Sequence, residues 1–505
     1  MNFVPFVFPS SPFVTSSGHI APGLSAEEYP VRNMLSQCLR AAGIAAAISM
    51  TASAQQPAGP DWKALQRETL EHFQALVRFD TQDPPGREQD AADYLREVLT
   101  REGIPVEMFT LEQGRPNIVA RVKGNGRKRP LLIMGHTDTV NIDPAKWTHP
   151  PFGAVVADGH VYGRGTLDDK DNVVASLMTM VVLKRAGLPL DRDVIFLAEA
   201  GEEGSTRVGI QFMVNQHFAA IDAEYCLAET GSITREGGKV RYASVQTAEK
   251  IPRAIELAAS GPAGHGSVPL NSNAIARLSS AVGTVAAWRP PLKLNETTGV
   301  YFKRLAEISP PEQARRYRDL FSFDAKVQAA AFEYLREHEP RHASMVTSSI
   351  TPTVIQAGYR VNVIPSDAKA TLDVRLLPGE DADKFLETVR SLVDDPAVKV
   401  DYGARASRPA TAPSSVTSEA FTTIEAAIKR LYNVSTLPMM NTGATDMAFL
   451  RAKGMQCYGV GPAIDVEDGP KGFGSHSDQE RILESELHRF VQLHYEIVRD
   501  LAGAR

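Results

Sequence analysis

The chain has few cysteines, no long apolar run and no block of one charge, and each absence excludes a class of protein. Its three cysteines, Cys38, Cys226 and Cys457, form no C-x-x-C pair, so neither a zinc finger nor a disulfide framework is indicated. No basic cluster stands out and the formal net charge is −6, which argues against a nucleic-acid partner. No segment reaches the ~20 apolar residues of a membrane span. What remains is an ordinary globular composition, and 505 residues suggest about three domains or two large ones.

The first 54 residues have the pattern of a targeting segment. Arg40 precedes a short apolar run at 41–48, and Ala52-Ser53-Ala54 forms a small-residue exit. These are the parts of a secretory signal peptide, whereas a buried alanine-rich helix would not need that exit. We therefore expect a signal peptide at 34–54, an over-called extension at 1–33, and a periplasmic or secreted mature chain. N-terminal sequencing of the exported protein checks this, and a mature chain that begins well before Gln55 would contradict it. Cys38 would then be removed, and whether Cys226 and Cys457 pair stays open.

Strand-like and helix-like segments alternate through most of the remaining chain. Apolar runs at 117–122, 131–134, 194–198 and 225–228 are typical of strands, and helical periodicity lies between them. This alternation predicts an α/β domain with a largely parallel sheet. We assign residues 60–247 and 411–505 to that domain. Residues 248–410 are assigned to an inserted α+β domain, which contains a charged, helix-forming stretch at 310–341.

The first motif with chemical content is a histidine at a strand end. His136 and Asp138 follow the apolar run in LLIMGHTDTV. In an extended chain, residues two apart point to the same side, so Asp138 can reach the His136 imidazole, orient it and raise its basicity. A lone histidine after a strand is more often simply hydrogen-bonded, so this motif alone does not establish a metal ligand.

Acidic residues and a second histidine lie in four further loops. The loop GRGTLDDKD places Asp168 before a helix; it fits neither phosphate-binding fingerprint, and its acids suit a cation. Glu202 and Glu203 follow the next strand, where one can ligate while the other serves as a general base, although glutamate is also common at helix N-termini. Glu229 follows another strand, and His476 lies in the glycine-rich loop GFGSHSD.

Together these motifs place histidine and acidic side chains at successive strand ends of one sheet, which is where open α/β sheets bind ligands. Five nitrogen and oxygen donors without a thiolate suit a dinuclear Zn²⁺ site, with Co²⁺ or Mn²⁺ as competitors. The expected ligands are His136, Asp168, Glu203, Glu229 and His476.

In order and wording, the motifs resemble those of the M20 family of metallopeptidases over residues 62–502. The matching segments are HTDTV (136–140), WTHPPFGAVVADGHVYGRGTLDDK (147–170), AGEEGS (200–205), LAETG (227–231), GPAGHGS (261–267), NVIPSDAKATLDVR (362–375), TGATDMA (442–448) and GSHSD (474–478). The resemblance implies a dinuclear-zinc exopeptidase-type catalytic domain with an inserted α+β lid or dimerisation domain. The long insertion is closest to the carboxypeptidase S and N-acyl-amino-acid hydrolase branch.

The resemblance also implies roles for the candidate residues. Asp168 would bridge two metal ions, one held also by His136 and Glu229, the other by Glu203 and His476. Glu202 would be the general base, Asp138 would orient His136, and the Asp168–Asp169 peptide bond would be cis. One departure is Gly201, which stands where the family usually has an aspartate and affects the support of this loop.

Three residues of the inserted domain are implied to contact the substrate. His265 would stabilise the tetrahedral intermediate, in many members of the family from the partner subunit of a dimer. Arg375 would grip the substrate carboxylate, a task suited to a bidentate guanidinium, and Asn362 would contribute. A homodimer through the lid domain is one alternative, and closure of the site by the long insertion of the same chain is the other.

These implications predict a zinc-dependent hydrolase of amide or peptide bonds in small substrates with a free carboxylate, of the carboxypeptidase or dipeptidase type. An N-acyl-amino-acid deacylase (aminoacylase) is the alternative substrate class. Two alternatives to an amide hydrolase are a non-catalytic binding homologue and a dinuclear phosphoesterase. Every ligand position and Glu202 carry a competent residue, which argues against the non-catalytic reading.

Overall fold

The computed structural model describes residues 59–404 and 408–504, so the predicted extension, the signal peptide and Cys38 lie outside the described residues. Within the described part, no helix combines the length and the apolar character needed to cross a membrane. The strands are β1 Val106–Thr110, β2 Pro116–Val122, β3 Leu131–His136, β4 Val155–Ala157, β5 His160–Tyr162, β6 Val194–Glu199, β7 Tyr225–Ala228, β8 Ser232–Glu236, β9 Lys239–Glu249, β10 Ile251–Ser260, β11 Gly264–His265, β12 Ser349–Ala357, β13 Val363–Ile364, β14 Asp367–Leu376, β15 Val398–Tyr402, β16 Thr436–Asn441, β17 Gln456–Gly459, β18 Ala463–Asp465 and β19 Arg481–Leu483. The helices are α1 Trp62–Arg78, α2 Gln89–Arg101, α3 Lys170–Ala186, α4 Ile210–Gln216, α5 Phe218–Ile221, α6 Ala274–Ala287, α7 Glu296–Ile308, α8 Pro311–Asp319, α9 Ala325–His338, α10 Pro340–Met345, α11 Ala382–Val393, α12 Glu419–Tyr432, α13 Met447–Arg451 and α14 Glu484–Ala502.

A mixed sheet of ten strands carries the candidate site. Its order is β1-β2-β6-β3-β7-β17-β9-β8-β18, and β16 pairs with β9. The middle pairs β6–β3, β3–β7 and β7–β17 are parallel, whereas pairs such as β1–β2 and β8–β9 are antiparallel. The α/β prediction is confirmed, and the pairs β16–β9 and β18–β8 are parallel as well.

Strand β3 is buried on both faces because it lies in the middle of this sheet. Leu131 and Ile133 join the core formed with α1, α3 and α14, while Leu132 and Met134 join the core on the other face, formed with α4 and α13. Full burial of such side chains contributes about 1.5–3 kcal/mol each. A strand covered on both faces reads as a continuous apolar run, and this burial holds His136 at the strand's end.

A second, antiparallel sheet lies within residues 248–410, with the strand order β12-β14-β10-β15. Helices α6 and α11 cover it through Leu278, Val285, Phe385 and Val389. Strands β11 and β13 form a separate two-stranded ribbon that carries His265. The expected α+β character of this inserted segment follows from these two helices on one antiparallel sheet.

The helical stretch expected at 310–341 is longer than predicted and is attached elsewhere. It consists of α7 to α10, residues 296–345, here called the helical insertion. Its core, which includes Phe302 and Leu335, is shared with Leu437, Met439 and Met440 of β16. The helical insertion therefore lies within residues 248–410 of the sequence but packs against the ten-stranded sheet.

Cys226 and Cys457, whose pairing the sequence left open, are neighbours that do not form a disulfide. Cys226 on β7 is the register partner of Cys457 on β17. Both are buried free thiols. The two side chains serve here as small apolar groups of the core between the sheet and α4.

Burial of His494 predicts a pH dependence of stability. This histidine on α14 lies 2.8 Å, through Nδ1, from Oγ1 of Thr179 on α3, and burial lowers its pKa from 6.5 to about 3. Below pH 6.5, His494 binds a proton in the unfolded chain but stays neutral in the folded chain. The free energy of unfolding therefore falls as the pH falls toward 3. Between pH 7 and pH 5 this group alone lowers the free energy of unfolding by roughly 2 kcal/mol. Urea unfolding of wild type and His494→Gln at both pH values checks this; an equal pH effect in both proteins would contradict it.

Candidate active site

The candidate ligands lie at one end of the ten-stranded sheet. His136 is the last residue of β3, and Glu203 lies in the loop after β6. Glu229 follows β7, and these three strands run parallel, so their carboxyl ends meet at the same edge. Asp168 lies just before α3, and His476 lies between β18 and β19.

The Asp168 carboxylate lies between the two histidines. Its Oδ1 is 3.0 Å from Nε2 of His136, and its Oδ2 is 3.0 Å from Nε2 of His476. The same His476 nitrogen is 2.7 Å from Oε1 of Glu203. His136, Asp168 and Glu203 thus offer donor atoms within 4.8 Å of one another, and so do His136, Glu202 and Glu229. Asp168 thus lies between two candidate ligands, and its role as a bridging ligand stays a prediction.

The carboxylates of this cluster shift the pKa values of their neighbours when no cation is present. Burial raises the pKa of Glu229 well above its usual value and that of Glu203 to about 6. Hydrogen bonds to Asp168 and Glu203 raise the pKa of His476 to about 10. The carboxylates of Asp168, Glu203 and Glu229 concentrate negative charge in a small space, and bound cations would relieve their mutual repulsion. The nitrogen and oxygen donors suit Zn²⁺, Co²⁺ or Mn²⁺.

Asp138 contacts both His136 and the loop that carries Glu202 and Glu203. The Nδ1 atom of His136 lies 3.0 Å from the backbone oxygen of Asp138 and 3.5 Å from its carboxylate. That carboxylate accepts hydrogen bonds from the backbone N–H groups of Glu202 and Glu203, at 3.1 and 2.9 Å. Asp138 therefore positions the glutamate pair as well as the imidazole, a role that the spacing alone did not indicate.

The loop that carries Asp168 is held by a buried glutamate. Glu480 accepts hydrogen bonds from the backbone N–H of Gly165 and Leu167, at 3.1 and 2.7 Å, and from the Arg164 guanidinium at 2.5 Å. Asp169 accepts from the backbone N–H of His136 at 3.1 Å. The Asp168–Asp169 peptide bond is cis, as the resemblance implies.

The structure explains why a glycine precedes the glutamate pair. Gly201 has φ +76°, and a Cβ atom there would lie 2.5 Å from the backbone oxygen of Ser205 and 2.7 Å from Val208. Side chains rarely adopt this backbone conformation, and the space is occupied as well. The departure at Gly201 is therefore a requirement of this loop.

Replacing Gly201 by the aspartate usual in the family is expected to lower the free energy of unfolding by roughly 1–3 kcal/mol or more, through backbone strain and collision. Chemical denaturation measures this, and metal content reports whether the loop still presents Glu203. Gly126→Asp is the matched control, because Gly126 has φ +75° but nothing within 4 Å of the added Cβ. An equal loss in both variants would mean that the collision at Gly201 contributes nothing.

Arg408 is a site residue that the sequence analysis missed. Its guanidinium donates to Oε1 of Glu202 at 2.7 Å and to Oδ1 of Asp446 at 2.8 Å. Its side chain is 15% exposed, and that of Glu202 is 9% exposed. Arg408 therefore holds the carboxylate of the expected general base. The sequence near Arg408 contains no motif that indicates its contact with Glu202. The one available signal was that a buried glutamate needs a cationic partner.

The three predicted substrate contacts of the inserted domain are not joined to the ligand cluster. His265 is exposed, and its Nδ1 atom lies 2.7 Å from Oγ of Ser267. Asn362 accepts a backbone hydrogen bond from Gly266, so it lies beside His265. Arg375 pairs with Asp373 on the same strand, at 2.7 Å. Within the described residues none of the three bonds to a candidate ligand, and their roles stay predictions.

A cavity of about 520 Å³ adjoins the cluster and is here called the site cavity. Its wall includes the ligands Asp168 and Glu229 together with Tyr301 and Met345 of the helical insertion. Met439 of β16 lines it too. A small substrate can therefore lie against the ligands and the helical insertion at once.

Comparison with known proteins identifies the family of the chain. The family model described as Peptidase family M20/M25/M40 matches residues 132–500. The probable carboxypeptidase S-like 2 of Dictyostelium discoideum is 30% identical over 327 residues, which are 63% of this chain and 62% of the relative. The human N-fatty-acyl-amino acid synthase/hydrolase PM20D1 is 26% identical over 298 residues, 58% of this chain and 56% of the relative. The chain thus covers less than two thirds of the length of each.

Solved structures share the fold. The M20 family metallo-carboxypeptidase Sso-CP2 from Sulfolobus solfataricus superposes with a TM-score of 0.64 at 19% identity, over 86% of this chain and 98% of that one. Human carnosine dipeptidase 1 superposes with a TM-score of 0.61 at 15% identity, over 87% and 97%. The match of the family model over residues 132–500 shows that the chain belongs to peptidase family M20/M25/M40.

Proposed function

We propose that this chain is a dinuclear-metal hydrolase, with zinc as the favoured ion, that cleaves amide or peptide bonds in small substrates with a free carboxylate. The observation that carries the proposal is the Asp168 carboxylate between His136 and His476, with one oxygen directed to each histidine. A carboxylate placed in this way can be shared by two neighbouring cations. His136 and Glu229 would complete one ion's ligands, and Glu203 and His476 those of the other.

Glu202 is assigned the movement of protons. Its carboxylate lies among the ligands, yet its partner is the Arg408 guanidinium, so it can stay directed at a water molecule or an amide nitrogen. When bound, two divalent ions supply the acidification of water and the polarisation of the amide carbonyl. Glu202 would take the proton of the attacking water and deliver it to the leaving amine.

His265 is assigned the stabilisation of the oxyanion, from outside the ligand cluster. It is exposed on β11, and no hydrogen bond to Nε2 is found among the described residues. Either lid movement or a partner subunit in a homodimer would bring it to the substrate. Loss of one such donor typically lowers the rate about 10²–10³-fold.

An N-acyl-amino-acid deacylase is the second candidate. It is favoured by the apolar side chains that line the site cavity, such as Met345, Met439 and Ile464, because they offer a surface for an acyl chain. The relationship to the human N-fatty-acyl-amino acid synthase/hydrolase supports the same substrate class. Both candidates share the ligands and Glu202, and they differ in what occupies the cavity.

A hydrolysis panel tests the proposal and separates its alternatives. Protein stripped of metal with a chelator is reloaded with Zn²⁺, Co²⁺ or Mn²⁺ and offered dipeptides, N-acyl amino acids and a phosphate monoester. Amide hydrolysis that depends on reloading supports the proposal, and the preferred substrate decides between peptidase and deacylase. Phosphate-ester hydrolysis alone would support a phosphoesterase. A chain that binds no metal would support a non-catalytic homologue.

Export from the cytoplasm belongs to the proposal as well. It is supported by the signal-peptide pattern at 34–54. The free thiols of Cys226 and Cys457 are compatible with it, because both are buried.

A further inference from the structure

We propose that Arg341, on the helical insertion, is the residue that binds the free carboxylate of the substrate. This inference rests on the proposed function and names the group that decides its specificity. Arg341 lines the site cavity together with the candidate ligands Asp168 and Glu229. A substrate that reaches the ligands thus lies in the same space as this guanidinium.

The other cationic side chains of the cavity wall are already engaged. Arg481 pairs with Asp468 at 2.7 Å, and His342 lies 2.5 Å from Oε2 of Glu339. Arg341 is exposed and makes neither a hydrogen bond nor an ion pair with any side chain in 59–404 and 408–504. Among the described residues that line the cavity, it is therefore the guanidinium left to pair with a ligand. A planar guanidinium binds a carboxylate through two parallel hydrogen bonds.

The short helix α10 that carries Arg341 is firmly held. The neighbouring His342 lies 3.1 Å from the Tyr301 hydroxyl, and Tyr317 donates to Glu339 at 2.9 Å. On the other side, Nζ of the buried Lys250 donates to Oγ of Ser344 at 3.1 Å. Contacts on both sides of Arg341 fix its backbone, so this residue of the cavity wall has a rigid base.

The helical insertion also needs no lid movement to present Arg341. Its core includes Leu437 and Met439 of β16, a strand of the sheet that carries the ligands. Met439 itself lines the site cavity. Arg375, in contrast, pairs with Asp373 on β14 of the antiparallel sheet and does not line this cavity. The geometry therefore assigns the carboxylate to Arg341 within one chain.

The test compares acids with their amides. Metal-loaded full-length wild type, Arg341→Gln and Arg341→Lys are assayed with Ala-Leu and N-dodecanoyl-leucine, each also as its C-terminal carboxamide. Arg341→Gln is expected to raise KM for the acids about 10–100-fold and to leave kcat/KM for the carboxamides within about twofold. Arg341→Lys is expected to recover part of the loss, because it keeps the charge without the fork. Arg315→Gln, at an exposed position of α8 in the same insertion, is the matched control and should behave as wild type.

Equal losses for acids and carboxamides, or no loss for the acids, would overturn the assignment. A wild type that hydrolyses none of these substrates contradicts the proposed function instead. In that case calorimetric binding of the same acids and carboxamides to wild type and Arg341→Gln decides the role of Arg341. Selective loss of acid binding supports it, and unchanged binding or undetectable binding of the acids to the wild type refutes it.

Discussion

Replacing Glu202 by glutamine is expected to lower kcat by about 10²–10⁴-fold while the metal content stays that of wild type. Glutamine keeps the shape of the side chain, and its carbonyl oxygen can still accept the hydrogen bond that Arg408 now gives to Oε1 at 2.7 Å. It cannot take up the proton of the attacking water. Steady-state kinetics and metal analysis of the same preparation measure the two quantities.

Glu203→Gln is the matched control for this experiment. Its carboxylate lies 2.7 Å from Nε2 of His476, so its replacement should lower metal binding first and activity as a consequence. Retained turnover in Glu202→Gln would refute its role as the base. Loss of metal in Glu202→Gln would show instead that Glu202 is a ligand, since it also forms a donor group with His136 and Glu229.

The second large effect is expected for Asp168→Ala. Mutation of residues that merely orient a ligand lowers metal affinity about 10–100-fold. Loss of the carboxylate that lies 3.0 Å from both His136 and His476 should exceed this for both ions at once, with activity lost in parallel. Titration of the stripped protein with Zn²⁺ measures the affinities.

Asp90→Ala, at an exposed position of α2, controls for the loss of one acidic side chain. Circular dichroism of both variants verifies that the fold is kept. An Asp168→Ala protein that still binds about two ions per chain with wild-type affinity would contradict a bridging role. Loss of a single ion would show that Asp168 serves one ion only.

Much of the site was predictable because its residues follow strands that are easy to recognise. Strand β3 is apolar up to its last residue, and the end of that apolar pattern places His136 at the carboxyl edge. The same argument holds for Glu229 after β7, so parallel pairing brings the two residues together. These positions depend on local patterns, which a single sequence displays.

Other elements were not predicted because their signals are weak. Strand β16 contains Pro438, which argues against a central strand, and it lies off the main path of the sheet, paired with β9. The helical insertion begins at Glu296, earlier than its charged composition indicated. Its attachment to β16 depends on long-range packing of Phe302 and Leu437, which no local pattern encodes.

The amino-acid sequence by itself determined the α/β class and the family, and it named the candidate donor residues, because each depends on side chains that follow short, strongly patterned segments. The tertiary structure decided which groups surround those donors. It brought the Arg408 guanidinium to the Glu202 carboxylate and the Asp138 carboxylate to the backbone N–H of Glu202. It also placed Arg341 in the wall of the site cavity. These contacts join segments separated by up to about two hundred residues, such as 202 and 408, and they form only where buried apolar faces set the segments against each other.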